Sequence, residues 1–378
     1  RCFRAILRMH TSSLNHLSDV MEAYSRGVDF LLWYASFGAL QQMDYTIDIR
    51  MRKDKLSALC SGECLITAAS YIIMSSESCY QTSVLGDYMM ANHMLENEYL
   101  KITVADAGAE LISVWDKTTG RECIWNADPA VWNRHAPILF PFVGKVKDGK
   151  YRIGENEYTM KTQHGFARDR VFTCIEKTEG SVTHCLTDSE QTRGIYPYEF
   201  RLTVCHRLSG KQLAIEWTIE NLGEEKMFFS IGGHPGFMVP DGLRKEDCLI
   251  FFPGKTELQY ISANAAGFIL PQKKTLPLRD GFAPWQADIP DTWIFEDHQV
   301  HSVGIAGPDG TPLVTMRCEA FPMLAVWANP SGSFICLEPW FGRADDEGFA
   351  GTIDQKKEIQ VLNAGAKQEI AYSIEFHR

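Results

Sequence analysis

From residue 99 to the C-terminus, apolar and polar positions alternate with a period of two, the pattern of strands buried on one face and wet on the other. Residues 99–104 and 110–115 flank a turn at Asp106-Ala107-Gly108 and predict a hairpin. Asp116 to Gly120 then turns the chain toward a short strand at 122–125. The strictest alternation, at 200–204 and 213–219, is joined across Ser209-Gly210-Lys211 and predicts a second antiparallel pair. Comparable segments recur at 171–175, 182–186, 227–230, 249–252, 303–305, 313–316, 324–327 and 370–376. A strand buried on both faces is expected at 334–337, where Phe-Ile-Cys-Leu is apolar throughout, with Glu338 at its end and Pro339 and Gly342 stopping it. Many short strands with turn signals and few helical windows predict an all-β fold, a large antiparallel β-sandwich.

Residues 1–89 follow a different pattern. All sixteen prolines lie from Pro129 onward, and only Gly27, Gly38, Gly62 and Gly86 precede Met89. Val20, Tyr24, Val28, Leu31 and Leu32 are at roughly helical spacing, so residues 19–43 read as one helix without an evident partner. Three readings compete: a helical extension, a fragment of something longer, or a non-native stretch translated ahead of a start at Met89 or Met90. The last accords best with the near absence of turn residues and with the patterned domain that begins just after. The division is therefore an N-terminal extension, 1–89, and a β-sandwich domain, 90–378.

The chain's 378 residues, 45% hydrophobic and 22% charged, are ordinary for a globular protein with a sizeable core. A formal charge of -11 argues against nucleic acid or an anionic membrane as partner. The longest apolar run, 30–40, contains Gly38 and is too short to span a bilayer. No secretory pattern opens the chain, and the eleven cysteines lack a framework spacing; Cys174, Cys185, Cys205 and Cys336 sit in strand-like runs. Reduced thiols in a cytoplasmic protein are expected. The Cys60 and Cys64 pair has no second pair to complete a zinc site.

Three polar stretches interrupt the strand pattern. In residues 163–169, Gly165 directly after His164 lets another group approach closely. In residues 231–237, four Gly or Pro residues surround His234 and imply a bent backbone that presents the imidazole. The third holds Glu338, a carboxylate at the rim of a buried strand, which is either paired structurally or used as a base. Each histidine alone is better explained as a satisfied core or loop residue than as a catalyst. Together, two histidines and a carboxylate at the breaks of one β-domain are the makings of an acid–base site. Neither histidine has a further histidine or cysteine at metal-ligand spacing, no Gly-x-Ser-x-Gly marks a nucleophile, and no glycine-rich phosphate loop leads into a helix. Trp132, Trp327, Trp340 and Phe237 are candidates to stack on a sugar ring or to serve as core.

Phe140-Pro141-Phe142-Val143-Gly144, His164-Gly165-Phe166-Ala167-Arg168-Asp169, Gly233-His234-Pro235-Gly236-Phe237 and Glu338-Pro339-Trp340, in this order, resemble the aldose 1-epimerase (galactose mutarotase) family, most of all its LacX-type branch. The resemblance runs from about residue 91 to the C-terminus. It implies a β-supersandwich with an open sugar cleft, no cofactor, no metal, a small-molecule sugar as substrate, and a monomer or homodimer. By the same resemblance His234 is the general acid toward the ring oxygen and Glu338 the general base on the anomeric hydroxyl. His164, Arg168, Lys145 and Trp340 would bind the sugar. Lys145 stands where many members carry arginine, and it offers a point charge without a planar fork; Arg134, Arg168 and Arg343 are the candidates to supply one.

The implied chemistry is opening and reclosing of the hemiacetal ring, which interconverts α and β anomers. A hexose 6-phosphate is the alternative substrate, with Lys145, Lys147 and Arg168 as cations for the phosphate. A non-catalytic carbohydrate-binding or regulatory protein is the alternative from another class; it would not require both His234 and Glu338.

Overall fold

The computed structural model describes residues 91–285 and 292–377. The helix expected at 19–43, the Cys60 and Cys64 pair and the boundary at 89/90 lie outside the described residues.

The domain opens with a four-stranded antiparallel meander of β1 (Asn92–Glu96), β2 (Leu100–Ala105), β3 (Leu111–Asp116) and β4 (Arg121–Glu122). Its middle pair is the first predicted hairpin: Leu100, Ile102 and Val104 are buried, and Lys101 and Thr103 between them are half-buried. β5 (Ile138–Leu139) and the ribbon β6 (Lys150–Ile153) and β7 (Asn156–Thr159) follow. β8 (Thr173–Lys177), β9 (Ser181–Thr187), β10 (Phe200–Ser209) and β11 (Gln212–Asn221) are consecutive antiparallel neighbours, the last two being the second predicted hairpin. The remainder supplies β12 (Met227–Phe229), β13 (Ile231–Gly233), β14 (Gly236–Met238), β15 (Leu249–Phe251), β16 (Glu257–Ala263), β17 (Ile269–Pro277) and β18 (Phe282–Pro284). It ends with β19 (Thr292–Phe295), β20 (Ser302–Ala306), β21 (Pro312–Arg317), β22 (Met323–Trp327), β23 (Phe334–Phe341), β24 (Gln360–Leu362) and β25 (Lys367–Phe376).

Two large antiparallel sheets carry the fold. One has nine strands in the order β18-β15-β20-β21-β25-β11-β10-β9-β8. The other has eight, β17-β16-β19-β22-β23-β13-β5, with β14 also paired to β23. One core draws on inward residues of both, with Val204 and Ile215 from the first sheet beside Val326 and Leu337 from the second. This is the all-β sandwich that the alternation predicts. The described cysteines form no disulfide, and among the described residues no helix is long and apolar enough to cross a membrane.

Two local expectations are corrected. The strand at Phe334 does not stop at Glu338 but runs on to Phe341, with Pro339 opposite Leu324 in β22. Proline is tolerated there because the ladder on the other side is interrupted: β13 and β14 pair with β23 on either side of it and not across it. The stop is Gly342 alone, at φ +92°, where a Cβ would fall 2.2 Å from Ser230 Oγ. Likewise residues 231–237 are not irregular throughout, since β13 and β14 flank His234-Pro235. The sequence reading also misses β17, whose exposed, lysine-containing run shows no apolar alternation.

Candidate active site

Alternation along β23 sends Ile335, Leu337 and Phe341 into the shared core, and turns Phe334, Cys336, Glu338 and Trp340 to the opposite face of the eight-stranded sheet. β22 contributes Met323, Ala325 and Trp327 to that face. The apolar residues there form two separate clusters, one around Trp340, Val143 and Leu139 and one around Trp125, Phe334 and Cys336.

β13 and β14 hold His234 against β23. Gly232 pairs with Trp340 and Gly236 with Cys336, a single register in which the residue across from His234 is Glu338. Glycine is required at 232, where a Cβ would sit 2.6 Å from Trp340 Cδ1. His234 Nε2 lies 3.2 Å from Glu338 Oε2. The carboxyl is 1% exposed and the imidazole residue 7%. Burial pushes Glu338 well above the ordinary carboxylate range, opposed by the Trp340 indole. Burial likewise lowers His234 to about 3, and the Arg168 charge adds to the lowering. His234 Nδ1, Glu338 Oε2 and Trp340 Nε1 have no hydrogen-bond partner among the described residues. Such a cluster of unsatisfied buried polar atoms is what a site for a polyhydroxylated ligand leaves open.

Trp132 lies obliquely over His234 at 4.9 Å between ring centroids, and Trp327 meets it edge-on at 5.5 Å. On the outer side the His234 backbone N–H donates to Pro137 O, and Gly236 N–H to His135 O. That 135–137 segment is tied down by Glu110, whose Oε1 accepts from His135 N at 2.7 Å and Ala136 N at 2.9 Å. Glu110 carries no sequence signal beyond being a carboxylate just after the Asp106-Ala107-Gly108 turn; its burial is known only from the structure.

His164 approaches from a different segment. It and Gly165 sit at φ +67° and +68°, and a Cβ on Gly165 would lie 2.2 Å from Phe140 O. The His164 N–H donates to Gly144 O, and Gly144 N–H donates to His164 Nδ1 at 3.1 Å. With Nδ1 accepting, the neutral ring carries its proton on Nε2. Burial holds His164 well below its ordinary value, and the His234, Arg168 and Lys145 charges reinforce this. Its ring stands 5.5 Å from that of His234, nearly perpendicular.

The cations differ in how free they are. Arg168 donates from one terminal nitrogen to Gln163 O at 2.8 Å, while its buried Nε makes no hydrogen bond among the described residues and has Asp169 Oδ2 at 3.9 Å. Lys145 Nζ donates to Ala266 O at 2.8 Å, at the tip of the β16–β17 hairpin. Arg134 is committed to Asp169 and the Arg168 carbonyl. Arg343 is buried against Glu296 Oε1 at 2.8 Å, Asp346 Oδ1 at 2.9 Å and Ala344 O. Phe237 is on the core side, beside Phe376, and so cannot stack on a ligand here. Cys336, expected from the sequence only as a reduced thiol in a strand-like run, joins His234 and Glu338, with one donor atom from each of the three within 4.8 Å of the others.

The family model described as aldose 1-epimerase matches residues 92–275. The chain is 31% identical over 283 residues to the plasmid LacX protein of Lactococcus lactis subsp. lactis, covering 70% of this chain and 92% of that one. Among solved structures, a galactose mutarotase related enzyme from Lactobacillus acidophilus superposes with a TM-score of 0.71 at 29% identity, over 76% of this chain and 98% of that one. A galactose mutarotase-like protein from Lactobacillus casei ATCC 334 gives the same TM-score, 0.71, at 30% identity, over 76% and 100%.

Proposed function

The chain belongs to the aldose 1-epimerase family, and from that premise we propose that it interconverts the α and β anomers of a free hexose or related sugar. Glu338 takes the proton of the anomeric hydroxyl while His234 delivers one to the ring oxygen. The ring opens, the C1–C2 bond rotates, and the reverse transfers close it on the other face. His164, donating from Nε2, holds the ring oxygen side of the sugar. Trp340 and Arg168 offer unpaired N–H groups to its hydroxyls.

The observation that carries this reading is the His234–Glu338 contact of 3.2 Å between two buried groups whose Nδ1 and Oε2 atoms make no hydrogen bond among the described residues. One proton on the pair serves the reaction, and the opposite shifts of the two groups widen the pH range over which the pair holds one. In the dry site burial favours the neutral arrangement. A sugar hydroxyl donating to the carboxylate and a ring oxygen accepting from the imidazolium favour the charged one.

Against a 6-phosphate, Lys145 donates to Ala266 O, Arg168 to Gln163 O, and Lys147 lies over the Phe268 ring with Asp148 at 3.7 Å, so each of the three cations is partly engaged within the protein. Freshly dissolved α-glucose and α-galactose, followed by polarimetry or NMR exchange with the pure protein, test the proposal, with glucose 6-phosphate as the second arm. Faster equilibration of a free sugar is the expected result. Acceleration of the phosphate ester alone would reassign the substrate, and binding without acceleration would make the protein a sugar binder.

A further inference from the structure

A second cluster of ligating side chains joins the four-stranded meander to the edge of the nine-stranded sheet, outside the proposed active site. His93 of β1 and His184 of β9 both point at Asp106, just after β2: their Nε2 atoms are 2.8 and 3.2 Å from the same Oδ1. The two imidazole rings stand edge-to-face at 5.1 Å. Cys174 of β8 is directly across from His184 in the β8–β9 ladder, and the ladder shifts register immediately after it. His93, Cys174 and His184 each place a donor atom within 4.8 Å of the other two.

Hydrogen bonding explains only part of this cluster. Asp106 is satisfied by the two histidines and by the Ala91 N–H at 2.8 Å. His184, with a side chain 0% exposed, nevertheless has no partner for Nδ1 among the described residues, and the Cys174 thiol has only a long contact to Glu176 O at 3.7 Å. Two imidazoles and a thiol are a borderline-soft donor set suited to zinc, and a carboxylate accepting from the far nitrogen of the rings is the usual orienting partner of such ligands. Donors around zinc are separated by roughly 3.3–3.7 Å, given bonds of about 2.0–2.3 Å, so small side-chain adjustments close the present cluster on an ion. The geometry points to a structural zinc site formed by His93, Cys174 and His184, with Asp106 orienting both imidazoles through their Nε2 atoms. It clamps the first strand and the Asp106 turn onto β8 and β9, where the nine-stranded sheet ends. The residues come from four separate segments, so no short Cys/His spacing marks the site in the sequence.

The test is titration of the chelator-treated full chain with Co²⁺ alone and then Zn²⁺ alone. Uptake of one equivalent of Co²⁺ with a near-ultraviolet thiolate-to-cobalt band is expected, Zn²⁺ should displace it, and either ion should raise the melting temperature. Cys174→Ser should abolish the band, and His93→Gln, at a more accessible ligand, should weaken binding at least tenfold. Cys336→Ser separates this site from the His234–Cys336–Glu338 group and should leave the band in place. The assignment is overturned if no stoichiometric cobalt is taken up, if the band survives Cys174→Ser, or if it is lost with Cys336→Ser.

Discussion

His234 and Glu338 face each other in one antiparallel register although the ladder between their strands is broken there, with Gly232↔Trp340 on one side and Gly236↔Cys336 on the other. Omitting hydrogen bonds at that step frees the two side chains to meet at 3.2 Å on the outer face of the sheet. The surrounding pairs keep them from moving apart.

Glu338→Gln and His234→Asn should each lower kcat by about 10²- to 10⁴-fold, the usual worth of one acid–base group, while sugar binding weakens far less. His164→Asn should harm binding as well as turnover. Near-normal anomerisation by Glu338→Gln, measured by NMR exchange, would make the carboxyl a structural partner.

The pH profile should be broad. The productive pair holds one proton, a state lost as pH falls through the lowered value of His234, about 3, and as pH rises through the raised value of Glu338. With unshifted groups the rate would decline above pH ~6.5. A kcat/KM plateau extending above pH ~6.5 is expected, and an alkaline limb near 6.5 would contradict the shifts.

Glu338→Gln should also be more stable than the wild type at neutral pH. A carboxyl whose folded value is raised contributes fully below its unfolded value, about 4.3, and loses that contribution as pH rises toward the folded one. The amide does not titrate, so the difference in Tm should grow from pH 4 to pH 8, by about 2–4 °C for each kcal/mol. A difference independent of pH, or a more stable wild type at pH 8, would show the carboxylate to be ionised and compensated by His234.

Glu110 is a positioning residue for His234. Glu110→Ala leaves the His135 and Ala136 N–H groups without their acceptor, a loss of about 1–3 kcal/mol, and loosens the segment on which His234 rests. kcat should fall more than KM changes, with partial rescue by Glu110→Gln, whose carbonyl still accepts. A lower Tm with unaltered kcat would reduce Glu110 to a structural role.

We propose that the β-sandwich domain starts at residue 90, just before β1 at Asn92. A chain starting at Met90 should be soluble, melt within about 2–4 °C of the full chain, equivalent to ~1 kcal/mol, and keep its activity. Insolubility, or a much lower melting temperature in a thermal scan, would make residues 1–89 part of the fold.

Period-two alternation in residues 200–219 was enough to specify the β10–β11 hairpin and its inward face, because side-chain direction in a strand is a local property. The Gly and Pro residues around His164 and His234 likewise marked, from local backbone chemistry alone, where the chain departs from regular strands. The continuation of β23 through Pro339 was not legible, since it depends on neighbours that stop short of that residue. Nor was the committal of Arg343 to Glu296, the removal of Phe237 to the core, or the support that Glu110 gives to residues 135–137. Chain pattern thus determined the all-β class and the chemical types available. Tertiary structure alone decided that an imidazole and a carboxyl far apart in sequence share one register, and that burial drives their proton affinities in opposite directions. Both effects arise from strand pairing and desolvation by distant parts of the chain, which no local stretch of sequence encodes.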